Sequence, residues 1–243
     1  FWKIAAENYF GFSAIEDISD NNIIIENIKT KFHISPVVNL IDELVQRDDL
    51  YKTQVEKILR KCKGQCLKKP SLKTYKKFEE AYWHTRKHGC NRQKCKSKIM
   101  KISPSGCDCF NDQKLLKAFK DKSDIIFETA STVAPDWLFS LIPKEYEIIL
   151  FINLAHLDTI MERSQGRFYK EVAAYNGTVA PRLPRSDRAY LLERRTHLYN
   201  NLLGLLKRKE RVLLYDNEKH TVLYDGESKP SLKRIVAPFF NIL

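Results

Sequence analysis

The stretch YEIILFINLAHLDTIMERSQGRFYKEVAAY, residues 146–175, is a strand that feeds a helix. Ile148 to Leu154 is the strongest apolar run in the chain, broken only by Asn153. It has the length of a strand and falls far short of the roughly 18 residues of a membrane span. From Ala155 the chain reads as a helix. The flanks repeat the alternation. SDIIFET is a strand, DWLFSLI a helix, DRAYLLERRTHLYNNLLGLLKRK a long helix, and RVLLYDNEKHTVLYDG two strands about a turn at Asn217. Upstream, PVVNLIDELVQRDDLYKTQVEKILR begins as a short strand and becomes an amphipathic helix with Val55, Ile58 and Leu59 on one face. NGTVAPRLPRS is a loop broken by Gly and Pro. Strands alternating with helices at this spacing predict an α/β fold, a parallel sheet with helices on both faces.

An apolar fraction of 43% with 11% aromatics belongs to a folded globule of 243 residues, long enough for a real core. No signal-peptide pattern opens the chain, which argues against secretion by that route and for a virion, cytoplasmic or nuclear setting. The first residue is Phe1 rather than Met, so further chain upstream is expected. Richness in Ile, Asn and Lys points to an AT-rich genome such as that of a large DNA virus.

The charge is concentrated. Residues 60–120 hold 18 Lys/Arg against four acids, a net of +14, and the remainder of the chain carries −2. All six cysteines lie in the same segment. The sequence therefore divides into 1–59 and 121–243, two parts of one α/β scaffold, around a basic, cysteine-rich insert at 60–120. Within the insert Leu72, Tyr75, Phe78 and Tyr82 recur at helical spacing, which reads as insert core rather than a base-stacking platform.

The cysteines form three close pairs, Cys62/Cys66, Cys90/Cys95 and Cys107/Cys109, with His84 and His88 just before the middle pair. Such pairs supply tetrahedral zinc ligands readily, and two histidines four apart on a helix can face one metal. They equally suit a disulfide-stapled segment, for which six cysteines allow 15 pairings, or free thiols in a reducing compartment. The strip KHGCNRQKCKSKIMK, with Arg86, Lys87, Arg92, Lys94, Lys96, Lys98 and Lys101, suits phosphate contact without base reading. Its expected partners are nucleic acid, an acidic protein surface, or other proteins of an assembly, with no membrane span.

The order of elements resembles the P-loop kinases of the zeta-toxin type, over residues 36–60 and 121–226. In that family a strand ending in an acid, here IIFET with Glu128, precedes a helix and a second strand, here YEIILFINL. Next comes a helix ending in arginines that close over the nucleotide phosphates. The resemblance gives that role to Arg163 and Arg167 in MERSQGRF, with Arg182, Arg185 and Arg188 in the loop beyond. Asp42 or Glu43 in NLIDELVQRDD matches the acid that serves as base or orients metal and acceptor. RVLLYDNEKHTVLYDG is similar to the closing hairpin. Phosphoryl transfer needs positioned positive charge, a metal site and a base, and Arg163 and Arg167, four apart, would share one helical face.

The chain departs from the family at the phosphate loop. That loop has the form G-x-x-x-x-G-K-[ST], and none of the eight glycines is followed by Lys. The corresponding stretch, GFSAIEDISDNN, puts Glu16, Asp17 and Asp20 where an anion would sit. The expectation is a degenerate kinase fold with no nucleotide cofactor, a structural or interaction module of a viral particle that docks through its basic insert. Glu128 is then a relic at a strand end. The alternative is an active phosphotransferase whose phosphate loop lies upstream.

Overall fold

A computed structural model describes residues 37–39, 41–90, 106–127, 136–184 and 187–240. These fall into two compact units, one from residues 37–125 and 161–187, the other from 126–160 and 188–240. The N-terminal stretch with Glu16, Asp17 and Asp20 lies outside the described residues.

The first unit holds the cysteines. Strand β1 (Val37–Asn39) pairs with the start of β2 (Ile125–Phe127), where the Val37 N–H donates to the Asp124 carbonyl at 2.8 Å. Between them run α1 (Ile41–Arg47), α2 (Asp49–Lys61), the short α3 (Gln65–Lys68), α4 (Leu72–His88) and α5 (Gly106–Lys120). The run read as one helix from Ile41 splits at Asp48, whose carboxylate accepts from the Leu50 N–H at 2.9 Å and caps α2. Ser71 caps α4 in the same way through the Thr74 N–H.

Tyr75, Phe78 and Tyr82 of α4 are buried, as their spacing predicts, whereas Leu72 is 50% exposed on the first turn. Their core also takes Val45, Tyr51 and Val55 from α1 and α2, and Phe168 of α7 (Leu157–Ala174), which meets Phe78 edge-on at 5.2 Å. Burying one such ring contributes roughly 2–3 kcal/mol. The unit is thus larger than the 60–120 insert read from the sequence. The charged segment has too few apolar residues for a core of its own, and borrows from both flanks.

The second unit is a three-stranded sheet in the order β3 (Ile149–Leu154), β4 (Arg211–Asp216), β5 (Thr221–Glu227). β3 and β4 are parallel, with Leu150 opposite Val212 and Ile152 opposite Leu214. β4 and β5 are antiparallel. The sheet is mixed rather than wholly parallel, because a turn of four residues can only return the chain antiparallel. Asp216 Oδ1 fixes that turn by accepting from the N–H groups of Glu218 and Lys219. Val212 to Tyr215 are buried in succession, the mark of a central strand covered on both faces. On one face Ile152, Leu154, Val212 and Leu214 pack with Leu202 and Leu206 from α8 (Arg188–Leu205) and beyond it. Val236 and Phe239 of α9 (Lys233–Phe240) complete the cluster. The short helix α6 (Asp136–Leu141) precedes β3.

Candidate functional site

At about 100° per residue, Thr74, Tyr75, Phe78, Ala81, Tyr82 and Thr85 occupy one side of α4, and all six are buried. The opposite arc, about 140° wide by the same geometry, carries Lys73, Lys76, Lys77, Glu80, Trp83, His84, Lys87 and His88, all exposed. Four lysines and two histidines thus share a face with a single acid. Trp83 stands 46% exposed in the row, with the Arg86 guanidinium 4.9 Å from its ring centre. The His84 and His88 rings lie 4.8 Å apart. A helix surface of cations with an open indole can hold phosphate oxygens and offer a plane for stacking.

Several devices hold this helix in place. Disulfides join Cys62 to Cys66 and Cys90 to Cys107, and Cys109 is also disulfide-bonded. Cys90, two residues past α4, donates its N–H to Asp48 Oδ2 at 2.7 Å, so the cap of α2 also anchors the end of α4. Gly106, at φ +86°, lets α5 start against α4: a Cβ there would stand 2.3 Å from the Arg86 carbonyl. Arg86 then bridges the helices through Asp108 Oδ1 at 2.6 Å.

One turn along α5, Asp112 is 6% exposed and its Oδ2 has no hydrogen bond among the described residues. Burial first, then the Asp108 charge, push its carboxyl up to about 7 against the pull of Arg86. The folded chain therefore keeps a proton that the unfolded chain releases near its ordinary value of 3.8. Asp112 thus favours folding most at low pH, and its contribution is lost as pH rises from about 4 through 7. Asp112→Asn, which cannot ionise, is expected to match the parent at pH 4 and exceed its melting temperature at pH 8. Parallel melting curves across that range would contradict the assignment.

The residues matched to the kinase family are distributed differently. Asp42 on α1 meets two partners: the Tyr82 hydroxyl donates to its Oδ1 at 2.5 Å, and Arg182 forms an ion pair with its Oδ2. The Arg182 guanidinium also lies 4.7 Å from the Tyr82 ring centre, and the backbone N–H of Arg182 donates to Glu171 Oε2. Burial lowers Arg182 to about 10 and raises Tyr82 to about 12. The expected base and an expected phosphate clamp are therefore partners of each other. Arg167 is half-buried and 3.6 Å from Glu171 four residues along α7, while Arg163 is exposed on that helix. Glu43 pairs with Arg47, and Arg188, in the other unit, with Asp158. Glu128 and Arg185 lie outside the described residues, as do Cys95, Arg92, Lys94, Lys96, Lys98 and Lys101 of the basic strip.

For zinc, the described residues bring one set of three ligand atoms within 4.8 Å of one another: Asp48, Cys90 and Cys107. Sulfurs joined in a disulfide are not thiolates, so this set does not fit zinc while the bond stands; reduction would free two of the three donors. Among the described residues His84 and His88 have no third ligand beside them.

In the second unit lies a pair that the sequence reading passed over. His156, just beyond β3, donates its N–H to Glu218 Oε1 at 2.7 Å, and its Nδ1 lies 2.8 Å from Oε2. Burial would raise Glu218, but the His156 N–H, the Thr159 hydroxyl and the imidazole hold it down at about 2. The signal was faint: a histidine and a glutamate directly after two strands, 62 residues apart. No protein-family model, curated protein or solved structure matches this chain. No described helix is long and apolar enough to cross a membrane.

Proposed function

We propose that this chain is an interaction module that docks to a polyanion, nucleic acid foremost, through the exposed face of α4. The observation that carries the reading is the row Lys73, Lys76, Lys77 and Lys87 beside the exposed Trp83 on a helix whose end is held by the Cys90–Cys107 disulfide. Lysines on a rigid helix give phosphate contact at low ordering cost, and an indole among them favours nucleic acid over an acidic protein.

The scaffold behind it we read as a kinase-like fold that has given up phosphoryl transfer. A parallel β3–β4 pair reached through helices and followed by a hairpin strand suits the zeta-toxin-type resemblance. The pairing of Asp42 with Arg182 supports loss of catalysis, since each spends its charge on the other. Disulfides suit an oxidising setting such as a particle surface.

The test is fluorescence anisotropy with a labelled 20-nucleotide single strand across a salt series, with Mg-ATP calorimetry beside it. Four lysine–phosphate contacts predict a slope of about −3 in log affinity against log salt. ATP is expected to show no saturable binding at micromolar concentration. Salt-independent or undetectable strand binding would overturn the docking reading, and a micromolar ATP isotherm would overturn the loss of the nucleotide site.

A further inference from the structure

Helix α8 reads RAYLLERRTHLYNNLLGL, and its two adjacent arginines diverge. Arg194 reaches the Tyr190 ring, 5.3 Å to its centre. Arg195 turns inward and is 5% exposed. Its guanidinium lies 4.9 Å from the centre of the Phe240 ring, and neither Nε nor Nη2 has a hydrogen-bond partner among the described residues. A guanidinium does not shed its proton in a protein, so the buried group remains a cation. The two unpaired atoms are not a random pair. Nε–H and Nη2–H project in parallel from one edge of the planar fork, the edge that takes two oxygens of one carboxylate or phosphate.

The surroundings place this fork where ligands enter open α/β sheets. Phe240 ends α9, and its neighbour Phe239 packs on His156, 4.9 Å between ring centres. His156 follows β3 directly, and its partner Glu218 follows β4. The Arg195 guanidinium therefore lies beside the residues that cover the carboxyl edge of the parallel pair, the usual ligand side of such a sheet. Of the described acids there, Glu218 is engaged by His156 and Asp158 by Arg188. Access requires the Phe240 ring to move. Pro238 inside α9 has no N–H to give to the preceding turn, which makes the last turn the easiest part of that helix to displace.

We propose that Arg195 is the anion receptor of a second binding site, its Nε–Nη2 edge gripping the carboxylate or phosphate group of a small ligand at the carboxyl edge of β3 and β4. The site is independent of the α4 face, and either can fail without the other.

The experiment is a thermal-shift titration of the full chain with inorganic phosphate and with acetate, against chloride at matched ionic strength. Arg195→Met and Arg195→Lys are compared with the parent. The parent is expected to gain stability saturably with at least one of the two anions, and the one that acts identifies the ligand group. Arg195→Met, which removes a buried unpaired charge while keeping bulk, should melt no lower than the parent in chloride and lose the anion response. Arg195→Lys keeps the charge without the fork and should weaken anion affinity at least tenfold. It also decides the matter if the methionine variant fails to fold. No saturable gain in the parent, or an equal gain in either variant, would overturn the proposal. A variant with the α4 lysines reversed should respond as the parent does, which separates this site from the docking face.

Discussion

Reducing the disulfides is expected to destabilise the cysteine-bearing unit by at least ~5 kcal/mol, before the Cys109 bond is counted, and to leave the β3–β4–β5 sheet standing. The Cys90–Cys107 bond closes a loop 17 residues long and Cys62–Cys66 one of four. By loop-closure entropy these contribute roughly 3 and 2 kcal/mol. A domain has only about 5–15 kcal/mol in hand, so the loss raises the open population by roughly three to four orders of magnitude. The unit is exposed to the effect because its net charge works against compaction. The measurement is trypsin digestion of native and of reduced, alkylated protein, with Cys90→Ser as the single-bond variant. Fragments should come first from residues 41–120 and 161–187, with residues 149–160 and 188–240 surviving. Equal digestion rates in both samples would show that the bonds carry no stability.

Reversing charge on α4 is expected to abolish strand binding without touching the fold. Lys76, Lys77 and Lys87 are exposed, and substitutions at such positions usually shift stability by within about 0.5 kcal/mol each. Lys76→Glu/Lys77→Glu/Lys87→Glu removes three phosphate contacts and puts repulsion in their place, so affinity near 0.1 M salt should fall at least 100-fold and the salt slope should flatten. Lys207→Glu/Lys209→Glu in the other unit makes the same kind of change at exposed sites and should leave affinity within about twofold. Equal losses from both variants would mean that net charge, not this face, attracts the strand.

How far the sequence disclosed this arrangement depended on whether the deciding contact was local. The apolar run at Ile149–Leu154 and the turn after Asp216 are local, and both elements stand where the sequence placed them. The direction of β5 is local too: the hairpin about Asn217 dictates an antiparallel return, which makes the sheet mixed. Of the three close cysteine pairs, Cys62/Cys66 is a disulfide, whereas close spacing does not give the partner of Cys107. Cys107 and Cys109 sit inside α5, and Cys107 bonds back to Cys90 across the α4–α5 junction. The Asp42–Arg182 pair joins residues 140 positions apart and left no trace in either flanking sequence. The α4 face was within reach. Its stripe of aromatic residues marks the core side, and the complementary arc of lysines around Trp83 follows from the same period, although the strip from Lys87 onward is denser in charge. Arg195 was hidden in an ERR run that looks like any solvated helix face.

Lysine footprinting tests the docking claim most directly. The native, disulfide-intact protein is acylated briefly with and without a saturating single strand, and the modified lysines are read by mass spectrometry. Protection should concentrate on Lys73, Lys76, Lys77 and Lys87, with Lys207 and Lys209 reacting as in the free protein. Protection spread evenly over both units, or absent from those four lysines while the strand is bound, would contradict the α4 face as the docking surface.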